Sequence, residues 1–269
     1  DARATELKLG PLANFCGADM VVVAMGVAGD LSDVPGLWHR KIAPGTADFT
    51  QGPAMTREQA IQALETGIEV VADRARHGYR CFSLGEMGIG NTTSSAAIAV
   101  AYTGISHEQA TGRGTGISDS RLAVKIDAVR RALAVNRPDP ADGLDVLAKI
   151  GGFEIGGLAG VILGAAAHRC LVVIDGLNAS AAALIATTLS PDARQYIMAS
   201  HLSAEPAHTK MLDHLGLEAY IDMGLCLGEA TGASLAMNLL DAAIRMYDEM
   251  ATFAEAGVSQ ASQEVGKGC

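Results

Sequence analysis

Residues 80–102 pass from a short apolar run, 80–84, through a glycine-rich turn into an alanine-rich helix. A chain that keeps repeating strand, turn and helix is restricted to a parallel sheet. Parallel neighbours cannot be joined by a hairpin and need a crossover, usually a helix. The pattern recurs along this chain. Residues 20–27 (MVVVAMGV) read as a buried strand, and Thr56-x-x-Gln59 reads as a capping box opening a helix to about residue 75. A further strand, 171–174, ends at Asp175-Gly176. Residues 196–199 and 220–225 read as further strands, the latter equally as a short helix. Helices are expected over 94–102, 118–134, 144–150, 153–168, 180–189 and 207–215. A last helix is expected from Thr231 to about Glu255, stopped by Gly257. Residues 30–51 lack periodicity and read as an irregular excursion. The implied class is α/β, a parallel sheet with helices on both faces.

Composition agrees with that class. Of 269 residues, 49% are hydrophobic and only 4% aromatic, so the core is built from aliphatic and small side chains. No apolar run is long enough to span a membrane. A net charge of −10 argues against a broad nucleic-acid surface but leaves room for one local phosphate site. The five cysteines, Cys16, Cys81, Cys170, Cys226 and Cys269, form no C-x-x-C pair. They read as free thiols of a reducing cytoplasm. The chain begins at Asp1 rather than Met.

In a parallel sheet, ligands bind beyond the carboxyl ends of the strands. The run LGEMGIGNTTSSAA from Leu84 lies at such an end. It is no Walker A loop, since no Gly-Lys-Ser/Thr follows. It is no dinucleotide fingerprint either, because Thr93 stands at the third glycine position. What remains is a turn at Gly88 and Gly90 opening a helix at Asn91, whose free amides favour an anion. A tight turn capped by Thr92 or Thr93 would read the same way. Leu84-Gly85-Glu86 is echoed by Leu227-Gly228-Glu229, so two carboxylates stand in equivalent positions. Each is a candidate acid or base, and each also reads as a simple complement to a helix dipole. Asp175 reads as a ribose acceptor or as a cap. Lys125, after the loop TGRGTG at residues 111–116, reads as a phosphate ligand or a solvated charge. His201, His208 and His214 have the wrong spacing for a zinc helix, and no metal or cofactor is expected.

LGEMGIGNTT resembles the signature of the nicotinate-nucleotide–dimethylbenzimidazole phosphoribosyltransferases, which build the lower ligand of cobalamin. The likeness continues in HRKIAPGTADF from His39, PAM at Pro53, GRGTG from Gly112, KIGGFEIGGLAGVILGAA from Lys149, VVIDG from Val172, SHLSAEPAH from Ser200 and LGEATGASLAMNLLDAA from Leu227. It covers nearly the whole chain, in order.

The resemblance implies a Rossmann-like parallel sheet with a small helical domain beside it, residues 1–225 forming the large domain and 226–269 contributing to the small one. It implies a homodimer and a reaction that exchanges nicotinate for dimethylbenzimidazole on ribose phosphate, giving α-ribazole 5'-phosphate. By position, Glu229 matches the general base and Glu86 the second active-site carboxylate. Gly88, Gly90, Asn91, Gly114, Lys125, Asp175, Gly176 and Ser203 match the surroundings of nicotinate mononucleotide. Two departures stand out. A segment the family carries before the first strand is missing, and Ala24 stands where Asp is usual. A mononucleotide-binding paralogue without turnover, or a sister transferase using another base, are the alternative expectations.

Overall fold

The computed structural model describes residues 12–114 and 116–258. Among them, the elements are β1 (Val22–Ala24), β2 (Leu37–His39), α1 (Arg57–Arg76), β3 (Cys81–Ser83), α2 (Asn91–Thr103), α3 (His107–Ala110) and α4 (Asp119–Asn136). There follow α5 (Gly143–Ile150), α6 (Phe153–Ala167), β4 (Leu171–Ile174), α7 (Leu177–Leu189) and a 3-10 turn at Pro191–Tyr196. The chain continues with β5 (Ile197–Ala199), β6 (His201–Ser203), α8 (His208–Leu215), β7 (Ile221–Leu225) and α9 (Thr231–Glu249).

Every strand pairing is parallel: β1 with β2, β3 with β4, β4 with β5, and β6 with β7. β5 and β6 are one extended segment broken at Ser200. The Ser200 N–H donates to Ile174 O (3.1 Å) toward β4, while its carbonyl accepts from Ile221 N (3.1 Å) toward β7. In a regular strand both groups of one residue face the same neighbour, so Ser200 is a local twist that carries pairing from one edge to the other. The working order is therefore β3, β4, β5 with β6, then β7. β4 is the inner strand, with Val172, Val173 and Ile174 fully buried, which is what its unbroken apolar run requires.

α1 begins at the capping box read from the sequence. Thr56 Oγ1 accepts from Gln59 N, and Gln59 Oε1 accepts from Thr56 N. Its buried face meets α6 backbone to backbone. A methyl group on Gly67 would stand 2.0 Å from Gly157 O, and one on Gly160 would stand 2.0 Å from Leu64 O. The glycines of α6 are thus a packing device that lets two helices nearly touch, and Ile155, Leu158, Ala159 and Ile162 fill the core beside them.

Two expectations are corrected. Residues 30–51 are not wholly irregular, because Leu37–His39 pairs with Val22–Ala24. Three residues show no period, and this strand exists through its partner, continued by Ile42 N to Met25 O (2.8 Å). The last helix ends at Glu249 rather than near Glu255. Thr252 and Glu255 form their own reciprocal cap, with Thr252 N to Glu255 Oε2 (2.8 Å) and Glu255 N to Thr252 Oγ1 (3.3 Å), so a new turn starts there. Gly257, at φ +65°, stops that turn instead. The ambiguous segment 220–225 is a strand, Ile221–Leu225.

By contacts the chain divides between Met237 and Asn238, inside α9. Among the described residues, no helix is long and apolar enough to cross a membrane. Cys81, Cys170 and Cys226 are free thiols, and Cys269 lies outside the described residues.

Candidate functional site

The candidate residues come together at the carboxyl ends of β3, β4, β6 and β7. The turn after β3 sets Glu86. Its Oε2 accepts from Gly88 N (2.7 Å) and from the Asn91 side-chain amide. Its Oε1 accepts from Asn178 Nδ2 (2.5 Å). Asn178 Nδ2 also donates to Asn91 Oδ1 (3.0 Å), and Asn178 Oδ1 accepts from Ser95 Oγ (2.6 Å). Two amides from two helices therefore hold one carboxylate in a single orientation, which is what a positioned charge needs.

The helix after this turn is open at its start. Gly90 is the N-cap, at φ +81°, and no side chain caps α2. Thr92, one of the two capping candidates, instead accepts from Lys125 Nζ at 2.8 Å. Lys125 also donates to Gly112 O (2.9 Å), which ties the second glycine loop to the first. The Gly114 amide donates to Glu205 Oε1 (2.8 Å). Burial pushes the Lys125 ammonium below its usual range, and the Glu205 charge opposes that shift. Open amides at a helix start, beside an ammonium held on its first turn, are groups that can bind an anion.

The two Leu-Gly-Glu loops lie back to back. A methyl on Gly85 would stand 2.9 Å from both Cβ and N of Ala230 and 2.9 Å from the Glu229 carbonyl carbon. Only glycine at 85 allows that approach. Glu229 (φ +61°) and Ala230 (φ +63°) are both left-handed, a costly conformation for residues with a Cβ. Glu229 is buried at this double turn, immediately ahead of α9.

Asp175, 4% exposed, ends β4. Its Oδ1 accepts from Ala233 N at 3.0 Å, in the first turn of α9. Burial pushes its pKa up to about 6. The amides of Ala233, Gly232 and Gly176 work against burial, and the Glu86 charge adds to it. Gly176 packs on Ser203, whose Cβ would lie 3.4 Å from an added methyl. Ser203 N donates to His208 Nδ1 (3.0 Å), leaving His208 Nε2 to meet Ser180 Oγ (3.0 Å). Burial, then the neighbouring His201, lower His208 to about 4. His208 is thus a neutral structural histidine. His201 lies under α9, and His214 meets the Tyr102 ring edge. Among the described residues, no group of three or more His, Cys, Asp or Glu is placed to hold a metal ion.

Three residues were not singled out from the sequence. Asn178 binds Glu86 from the first turn of α7. Glu154, in the first turn of α6, lies under the glycine turn, where a methyl on Gly88 would stand 2.6 Å from its Oε1. Burial, then the Glu86 charge, raise its carboxyl above the usual range. Glu205 holds Gly114. An acidic residue in a first turn looks like ordinary dipole complementation, so Glu154 left no separate signal.

A family model described as Phosphoribosyltransferase matches residues 4–258. Relatives named nicotinate-nucleotide–dimethylbenzimidazole phosphoribosyltransferase include one from Dehalococcoides mccartyi, 52% identical over 249 residues, covering 93% of this chain and 71% of the relative. One from Desulforudis audaxviator is 54% identical over 253 residues, covering 94% and 72%. The crystal structure of CobT from Thermus thermophilus superposes with a TM-score of 0.90 at 41% identity, covering 97% of this chain and 81% of that one.

Proposed function

The chain belongs to the nicotinate-nucleotide–dimethylbenzimidazole phosphoribosyltransferase family, and on that premise we propose how its own residues carry the reaction. The protein transfers the phosphoribosyl group of nicotinate mononucleotide to 5,6-dimethylbenzimidazole, releasing nicotinate. Glu229 is the general base. Glu86 is the second carboxylate, fixed beside the reacting carbon. The observation that supports this most is the back-to-back packing of the two Leu-Gly-Glu loops through Gly85.

The chemistry suits two carboxylates without a metal. The ribosyl bond to nicotinate joins a cationic pyridinium nitrogen. When that bond breaks, its electron pair neutralises the ring, and no general acid is needed. The incoming benzimidazole attacks through one nitrogen and must lose the proton on the other, which one placed carboxylate accepts. Negative charge at Glu86 favours the cationic ribose developing between the two rings. The 5'-phosphate is assigned to the open α2 start at Gly90 and Asn91, beside Lys125 and the Gly114 loop, while Gly88, whose amide goes to Glu86, lines the same site. Gly176 and Ser203 are assigned to the ribose side. Positioning supplies much of the rate, because attack from the opposite face needs both rings aligned.

The same reading takes the protein as a cytoplasmic homodimer; sedimentation of the purified chain tests the dimer, and cell fractionation the location. The test of activity is nicotinate release from nicotinate mononucleotide with and without dimethylbenzimidazole, on protein of verified mass. Base-dependent release that falls at least about 100-fold in Glu229→Gln is expected. Tight mononucleotide binding without turnover refutes the reading.

A further inference from the structure

We propose that Asp175 is a positioning residue for Glu229: its carboxylate fastens the first turn of α9 and thereby fixes the strained double turn that carries Glu229. The proposal rests on the transferase reading above, with Glu229 as base. It gives Asp175 a role through the helix rather than through contact with the ribose.

Three observations carry it. The first is the bond itself. Asp175 Oδ1 takes the Ala233 amide at 3.0 Å, so the end of β4 caps a helix 58 residues away in sequence. The second is the lack of slack around the helix start. A methyl on Gly232 would lie 1.9 Å from His201 Nδ1, so the first turn of α9 is clamped between Asp175 and the His201 ring. The third is the strain upstream. Glu229 and Ala230 are both left-handed without being glycine. Such a conformation persists only where its surroundings over-determine it. The turn is closed by Thr231 N and Oγ1 on Gly228 O (3.2 and 2.8 Å), and by Ser234 N on Ala230 O (2.8 Å). Those bonds tie the turn directly to the helix start. If the helix start moves, the Glu229 carboxylate moves with it.

The ionisable groups facing Asp175 are His201 from β6, with Nδ1 at 3.6 Å, and Glu86 from the turn after β3. Burial lowers the His201 imidazole, which leaves it neutral at pH 7, so the α9 amides of Ala233 and Gly232, with that of Gly176, are what offset the Asp175 charge. A buried anion held by helix-start amides is a strong fastening, and one that a neutral side chain of similar shape keeps only in part.

The test compares wild type, Asp175→Ala, Asp175→Asn, Gly232→Ala, Glu229→Gln and the Asp175→Ala/Glu229→Gln double variant. Asp175→Ala is expected to lower kcat by about 10- to 100-fold while KM for nicotinate mononucleotide stays within about twofold. In the Glu229→Gln background the same change is expected to add less than about twofold, because the group it positions is already gone. Asp175→Asn, which keeps an oxygen for the Ala233 amide, is expected to recover part of the rate. Gly232→Ala displaces the same turn while leaving the Asp175 side chain in place, and is expected to repeat the kcat loss. It carries the argument if Asp175→Ala does not fold. A raised KM with unchanged kcat, or effects that multiply in the double variant, overturns the proposal in favour of direct substrate contact. Hydrogen exchange reads the fastening without turnover: the Gly232 and Ala233 amides are expected to exchange at least about tenfold faster in Asp175→Ala. Unchanged protection overturns the proposal, whereas a wild type with no base-dependent nicotinate release overturns only the transferase reading.

Discussion

The α1–α6 seam yields the sharpest stability prediction, because two opposing effects can be weighed. Gly67→Ala should gain about 1 kcal/mol from helix propensity alone. Against this, the new methyl would stand 2.0 Å from Gly157 O, 2.6 Å from Val161 N and 2.8 Å from Gly160 C. Ordinary contact begins at 3.4 Å, so the helices must separate by 1.4 Å, the difference between 3.4 and 2.0. All three obstacles are backbone, and no side chain can swing aside. The neighbouring approach of Gly160 to Leu64 O opens with it, and a gap near 1 Å forfeits about a quarter to a half of each dispersion contact it crosses. Overpacking of this kind costs about 3 kcal/mol or more. The net loss is about 2–4 kcal/mol, which for a chain this long lowers Tm by roughly 4–7 °C. Urea unfolding should show a lower midpoint at unchanged m. The displacement should also reach the site, because α6 carries Glu154 under the Gly88 turn, and KM for the mononucleotide should rise. A Gly67→Ala protein as stable as wild type would refute the backbone contact and the packing argument together.

Three further outcomes are expected. Asp175 and His208 oppose each other in acid. The fold holds an Asp175 proton that the unfolded chain has lost, so its contribution falls as pH rises from 3.8 to about 6. The fold keeps His208 neutral where the unfolded chain is protonated, so its contribution rises from about 4 to 6.5. Each is worth roughly 3 kcal/mol across its window, and wild-type stability should be nearly flat between them. Asp175→Asn should make it climb with pH and His208→Asn should make it fall, and urea titrations at several pH values distinguish these from unaltered profiles. Lys125→Ala, which removes the ammonium bonded to Thr92 and Gly112, should raise KM for nicotinate mononucleotide about 10- to 100-fold, with a smaller effect on kcat. Thr56→Ala removes the side-chain half of the α1 capping box, the hydroxyl that accepts from Gln59 N, and should cost about 1 kcal/mol in urea unfolding without altering KM.

What the sequence made legible was whatever is decided locally. Residues 171–174 are a strand at those bounds, because four apolar residues between a helix stop and Asp175-Gly176 admit little else. The Thr56–Gln59 box is a local hydrogen-bond exchange and is present as read. The Thr252-x-x-Glu255 box was just as local but hidden inside an expected helix, since helical periodicity continued through it. β2 was illegible for the opposite reason: Leu37–His39 is a strand only because Val22–Ala24 lies beside it.

The site divides along the same line. The echo of Leu84-Gly85-Glu86 in Leu227-Gly228-Glu229 marked two equivalent strand ends, but no local rule says which ends are neighbours. The twist at Ser200 settles the arrangement: it lets one extended segment pair with β4 on one side and β7 on the other. That puts the Asp175 turn next to both carboxylate loops. Glu86 then finds Asn178, 92 residues away, and α9 finds Asp175, 58 residues away. Each of these polar groups reads alone as a cap or a dipole complement, and several are caps. Here capping and chemistry are not rival readings. A carboxylate that holds the start of one helix in place also sets the position of the residue just ahead of it. In this fold that residue is Glu229.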